Sequence, residues 1–255
     1  RVFELGKAFR NEGIDSTHNP EFTSLEVYQA YADVFDILGV VEDVMCFAAA
    51  AVFGDVKEIE NQGETISLER KFDYSEKYPG FSGKHWQVKT MVEAVRDEFG
   101  LDFDSLDLES AIASATKLEL HLSKLEQQSL GYVLYAVFDK LVVPKLIQPT
   151  FIIDYPVEVS PLAKGHRSKP GFVERFELFI NGTEYSNGFS ELNDPKEQRK
   201  RFEEQLAQKN AGDDEAHELA ADHPLAVRHG LVLEQRLHQG AAQLRVARVG
   251  QVEDG

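Results

Sequence analysis

The sequence contains one cysteine, Cys46. An internal disulfide is therefore excluded, and a lone thiol in an apolar helical stretch fits a reducing cytosol. No run of about 18 apolar residues occurs, so no transmembrane helix is expected. The longest apolar stretch, at residues 45–53, is shorter and reads as buried helix. Residues 1–10 alternate in polarity and hold no continuous apolar block, which excludes a secretory signal there. The first residue is Arg rather than Met, so the chain reads as a piece of a longer protein. Basic residues are scarce: 27 Lys and Arg stand against 44 Asp and Glu, a net charge of −17. A generic basic nucleic-acid binder is thereby excluded, though not a local basic patch. An acidic chain suits a cationic substrate, yet most surface carboxylates only solvate a fold.

What is present begins with two alternating runs around a polar loop. In residues 2–10, Phe3, Leu5, Lys7 and Phe9 share one face, and Val2, Glu4, Gly6, Ala8 and Arg10 share the other. Residues 11–20 carry the breakers Gly13, Asp15, Ser16 and Asn19-Pro20. In residues 23–31, Leu25 and Val27 point one way and Glu26 and Tyr28 the other. This pattern predicts an antiparallel hairpin with a long loop. Its face of small and charged side chains is left open to a ligand. Arg10 can fork onto a phosphate. Glu12 can accept from an amino group, Phe22 offers a flat surface to a base, and His18 can meet a phosphate. Each has a plainer reading: Phe22 as core, His18 as a turn residue, Arg10 paired with Glu12. Gathered in one short stretch, they favour the ligand.

Helical apolar spacing is expected at residues 33–53, 88–99 and 118–138, with a polar helix at 108–115 and a charged one at 194–209. Residues 58–74 read as loop and short strand, and 151–154 as a short buried strand. A second hairpin is signalled by Asn181-Gly182 between alternating runs. A regular two-residue turn sets Ile180 opposite Thr183, Phe179 opposite Glu184 and Glu177 opposite Ser186. Glu177 and Glu184 then become diagonal neighbours, roughly 7–8 Å apart at Cα. Such a pair is either two solvated strand glutamates or a Mg²⁺ site, since oxygen-only ligands suit that ion.

Three stretches carry a resemblance. "FRNEGIDSTHNPEFTSLEVYQAYAD" resembles motif 2 of class II aminoacyl-tRNA synthetases in the form found in the lysyl enzymes. "IDYPVEVSPLAK" and "RFELFINGTEYSNGFSELND" are similar to two further stretches of the same family, in the same order. The likeness covers about residues 1–218, and "NGFSELND" with "HNPEFT" favours the lysine enzyme over those for aspartate and asparagine. It implies an α+β class II synthetase-like fold: an antiparallel sheet flanked by helices, incomplete at both ends, with a helical insertion at about 33–140. It implies ATP-dependent activation of L-lysine and transfer to the 3′ end of tRNA(Lys), in a cytoplasmic, homodimeric family. By that resemblance Arg10 binds the α-phosphate of ATP, Glu12 the adenine amino group, Phe22 the adenine face and His18 the terminal phosphates. Glu177 and Glu184 hold Mg²⁺, while Glu26, Tyr28, Asn187, Phe189 and Glu191 form the lysine pocket.

The chain also departs from the family. The OB-fold that reads the anticodon, motif 1 with its dimer interface and the Gly-rich motif 3 are not found. Residues 203–255 hold no aromatic residue, no Lys follows Lys209, and four of the eight histidines fall in this tail. Residues 219–255 are either a frameshifted, atypical tail or a divergent helical C-terminus. Either way this chain is expected not to complete the ATP site alone. Two other functions fit the resemblance less well: a ligase that lysylates a translation-factor protein, and a non-catalytic truncated paralogue.

Overall fold

The structure is a computed structural model that describes residues 1–10, 19–54 and 57–210 and the backbone of 242–246. Strand β1 (Val2–Phe9) pairs antiparallel with β2 (Glu21–Gln29), from Val2 opposite Tyr28 to Phe9 opposite Glu21. The first expected hairpin is therefore present, and Glu26 and Tyr28 share one side of it with Glu4 and Val2 as register partners. Helix α1 (Val34–Phe53) follows. Its start is fixed by a reciprocal cap: the Asp33 carboxylate accepts from the Phe35 and Asp36 amides, and Asp36 accepts from the Asp33 amide.

Two short ribbons come next, β3 (Glu58–Asn61) with β4 (Glu64–Ser67) and β5 (Phe72–Asp73) with β6 (Lys84–His85). Strand β7 (Gln87–Thr90) leads into α2 (Met91–Phe99), whose start is capped by Thr90 and Glu93 in the same reciprocal way. The expected helix at 88–99 thus gives up its first turn to β7. Helix α3 (Leu108–Lys117) and helix α4 (Leu130–Val137) follow, α4 running on into a π-helical turn at Phe138–Val142. Residues 118–138 are therefore not one helix. Glu119 takes a positive φ of 60°, and the chain restarts only where the Ser129 hydroxyl accepts from the Tyr132 amide. The apolar spacing there reflects loop residues packing on the core, which helical periodicity cannot distinguish.

Strands β8 (Thr150–Pro156), β9 (Phe172–Ile180) and β10 (Thr183–Ser190) precede α5 (Pro195–Asn210), and β11 (Ala242–Val246) is the last described strand. The seven-stranded sheet has the order β1-β2-β11-β10-β9-β8-β7. Its pairs are antiparallel except β7 with β8. Of the atypical tail, only β11 lies within the described residues; it joins the β1–β2 hairpin to the rest of the sheet.

The sheet is covered on both faces. Ile37, Leu38 and Val41 of α1 pack with Trp86, Phe151, Phe176 and Leu178 on one. Met91, Val95, Val133, Val137 and Phe138 from the other helices pack with Ile152, Tyr155 and Phe179 on the opposite face. Residues of β8 thus alternate between two dry layers, which is why that strand reads as an unbroken apolar run. The cover ends before the hairpin. Phe3, Leu5 and Phe9 on the greasy face of β1 remain 75%, 66% and 72% exposed, because α1 packs on β9, β10 and β11.

Under α1 lies one buried carboxylate. Glu42 is fully buried; its Oε2 lies 2.8 Å from His85 Nδ1 and 3.4 Å from Arg70 Nε, and its Oε1 accepts from the Trp86 amide. These contacts tie the 68–86 segment to the helix. Removing one partner of a buried charged cluster strands the others. Glu42→Ala is expected to lower unfolding free energy by roughly 3–5 kcal/mol, read by urea denaturation. A loss below about 1 kcal/mol would mean that water reaches this cluster.

Candidate active site

The site lies on the sheet face that α2–α4 only partly cover. Register rows define it. Glu26 aligns with position 245 of β11, then Asn187 of β10, then Glu177 of β9. One step along, Tyr28 aligns with position 243, then Phe189, then Arg175. Residues of four strands that are distant in sequence thus come onto one face.

The second hairpin forms as expected at its turn. Asn181 and Gly182 both take positive φ, 49° and 70°, the conformation a type I′ turn requires. Ile180 pairs Thr183 and Phe179 pairs Glu184. Beyond that the register departs from a regular ladder. A bulge at Tyr185 sets Ser186 opposite Leu178 and Asn187 opposite Glu177, correcting the expected Glu177–Ser186 pair. The extra residue has a physical consequence. Strict alternation would place Glu184 on one face and Asn187, Phe189 and Glu191 on the other. With one residue unpaired, the phase shifts and Glu184 and Asn187 share a face. Tyr185 turns instead to the α1 layer, where it packs at the edge of the core.

Glu177 is buried and held from two sides. Its Oε2 accepts from the Tyr155 hydroxyl at 2.8 Å, and its Oε1 accepts from Arg175 Nη2. Arg175 also donates from Nε to Asn187 Oδ1 at 3.1 Å, and from Nη1 to the Val159 carbonyl and Ser160 Oγ, both at 2.9 Å. Its guanidinium lies over the Tyr155 ring, 4.6 Å from the centroid. Burial works against the Arg175 charge, but Glu177, Tyr155, Tyr135 and Glu184 together outweigh it, so the pKa is raised. Burial and the Glu177 carboxylate push the Tyr155 hydroxyl well above its ordinary range, keeping it a proton donor. Arg175 and Tyr155 were not singled out from the sequence. The available signal was an Arg two positions before Glu177, hence on the same strand face.

Glu184 stands at the open side. Its carboxyl is pushed up to about 8, by desolvation and then by the Glu177 carboxylate, with Arg175 and Arg10 pulling the other way. The Glu177 carboxylate adds to the shift as a like charge facing it. Arg10 lies over the Phe22 ring at 5.3 Å and donates its amide to the Pro20 carbonyl at 2.9 Å. The Tyr28 hydroxyl donates to Glu26 Oε2 at 3.2 Å. Phe189 packs against the core, and Glu191 forms an isolated bridge with Ala163 that closes the end of β10. Glu12 and His18 lie outside the described residues.

The carboxylate pair fits Mg²⁺ by its chemistry. Each Glu177 oxygen has one protein donor and so keeps a lone pair. A divalent cation would relieve the repulsion that raises Glu184. Among the described residues, no group of three or more His, Cys, Asp or Glu is arranged to hold a metal. Two carboxylates with phosphate and water oxygens are the usual way Mg²⁺ is held in nucleotide sites.

The raised Glu184 pKa has a sign. Between about 4.5 and about 8 the folded state keeps a proton that the unfolded chain has released. Stability therefore falls as pH rises through that window. Glu184→Gln is expected to raise the melting temperature at pH 8.5 and to leave it nearly unchanged at pH 4. An equal effect at both pH values would refute the carboxylate repulsion.

Residues 1–232 match the profile of the class II tRNA synthetases (D, K and N). A lysine–tRNA ligase of Thermosynechococcus vestitus is 49% identical over 233 residues, covering 91% of this chain and 43% of that relative. Lysine–tRNA ligases of Nostoc sp. and Moorella thermoacetica are 48% and 42% identical, again over 91% of this chain and over 38% and 44% of those proteins. The chain spans roughly two fifths of the length of these relatives. With the family profile matched over most of its length, the chain belongs to the class II tRNA synthetases of the D, K and N group.

Proposed function

We propose that this chain belongs to a cytoplasmic, homodimeric lysine–tRNA ligase and carries part of its site for ATP-dependent lysine activation and transfer to tRNA(Lys). The observation that carries this reading is the convergence on one sheet face of three groups: Arg10 over Phe22, Glu177 beside Glu184, and Glu26 with Tyr28. The names of the relatives supply the amino acid. No described helix is long and apolar enough to cross a membrane.

The residues divide the work. Arg10 takes the α-phosphate and stabilises the charge that gathers there as the lysine carboxylate attacks. Phe22 stacks on the adenine, Glu12 accepts from its amino group, and His18 meets the outgoing phosphates. Glu177 and Glu184 hold Mg²⁺, which when bound screens the triphosphate charge. Glu26, Tyr28, Asn187, Phe189 and Glu191 form the lysine pocket. Two ammonium groups on lysine match carboxylates backed by a hydroxyl. Attack at the α-phosphate yields lysyl-adenylate and pyrophosphate, and a ribose hydroxyl of the tRNA then attacks the lysyl carbonyl of that adenylate, forming the ester and releasing AMP. Positioning and charge carry both steps, so no enzyme nucleophile enters.

Titration of the chain with lysine, aspartate and asparagine is expected to show saturable binding of lysine alone. Exchange of pyrophosphate into ATP, by this chain or the longer protein bearing it, is expected to require lysine. Arg10→Ala should slow that exchange about 100-fold or more, the usual cost of one lost oxyanion donor. Selective binding of aspartate or asparagine would overturn the lysine assignment. Exchange without transfer to tRNA by the longer protein would move the reading to a protein-modifying ligase.

A further inference from the structure

The Arg175 guanidinium touches residues from both halves of the site. It donates to Glu177, one of the two proposed cation carboxylates, and to Asn187, a proposed lysine contact. Three further contacts fix it: the Val159 carbonyl, Ser160 Oγ and the ring of Tyr155. The side chain is largely buried, 16% exposed, so water does not compete freely for these donors. The same Tyr155 whose ring it covers donates to the other oxygen of Glu177. Both oxygens of one carboxylate and the amide oxygen of its register partner are thus set by one planar cation and the phenol beneath it.

We infer that Arg175 is a positioning residue that couples the two substrates' subsites, holding Glu177 for the cation and Asn187 for lysine in one rigid unit. The inference rests on the proposed function for what the two subsites bind. Geometry supports it in three ways. The guanidinium is planar and pre-organised, so its Nε and Nη2 donors reach Asn187 and Glu177 in a fixed relation that a lysine ammonium cannot reproduce. Asn187 can direct its amide nitrogen outward only if its Oδ1 is occupied, and Arg175 occupies it. One lone pair remains on each Glu177 oxygen, so the arginine orients this ligand without consuming it.

A buried ion pair that serves stability alone would make a different prediction, and Arg175→Lys separates the two. That variant keeps the charge and loses the fork. It is expected to melt near the wild type, while Mg²⁺ binding, read by calorimetry with magnesium chloride, weakens about 10–100-fold, the usual effect of losing a residue that orients a metal ligand. Lysine binding should weaken in the same variant, although Arg175 belongs to neither subsite. Ser160→Ala removes one anchor from the guanidinium and should shift both affinities the same way by less; it decides the matter if Arg175→Lys does not fold. Wild-type affinity for both ligands in Arg175→Lys, or tighter Mg²⁺ binding in it, would overturn the inference. If the wild type binds neither magnesium nor lysine, the proposed function fails instead. The Asn187 side-chain amide signal in nuclear magnetic resonance then judges the positioning by itself: a shift in Arg175→Lys is expected, and an unchanged signal would overturn it.

Discussion

The β9–β10 hairpin is the constraint on which the site depends. Its turn fixes where pairing begins, and the unpaired residue at Tyr185 fixes the phase in which pairing continues. From that phase follow the row that sets Asn187 opposite Glu177 and the row that sets Phe189 opposite Arg175. The Asn187–Glu177 row and the guanidinium network do not survive a slip by one residue beyond Glu184, because a slip turns every side chain past that point to the other face. The deep core on both sides resists such a slip: Phe176 and Leu178 are locked in one layer and Phe179 in the other.

Charge is arranged against this frame with little help from solvent. A single cation, Arg175, compensates Glu177 in the interior. Glu184, nearer the opening, is left facing a like charge. The protein thereby holds one carboxylate fixed in position by Arg175 and Tyr155, with the other facing it near the opening. A site arranged like this is suited to acquire positive charge from outside, and a strongly acidic chain deepens that bias.

Local chemistry was legible in the sequence where it decides structure by itself. Alternation gave the first hairpin, Asn181-Gly182 gave the second turn, and the helical apolar spacing over 33–53 gave α1. Residues 118–138 misled because apolar side chains at helical spacing also arise when a loop lies on a core; Glu119 at positive φ and Ser129 as a new cap divide the segment. The bulge was not legible, since no turn residue marks it and its cause is the packing of Tyr185 on the α1 layer. Of the site, Arg10, Phe22, Glu26, Tyr28, Glu177, Glu184, Asn187, Phe189 and Glu191 fall within the described residues on or beside the strands concerned. The role of Arg175 was hidden because it depends on Val159 and Ser160, partners whose proximity only the folded sheet creates.

The unpaired residue in β10 has one more consequence. It belongs to one strand only, so a hairpin shorter by that residue would form a regular ladder and keep the same partners across every row. Length at this point and the content of the site are therefore independent. Two chains that differ by one residue here would look out of step when written one above the other, yet would present the same carboxylates to the same place.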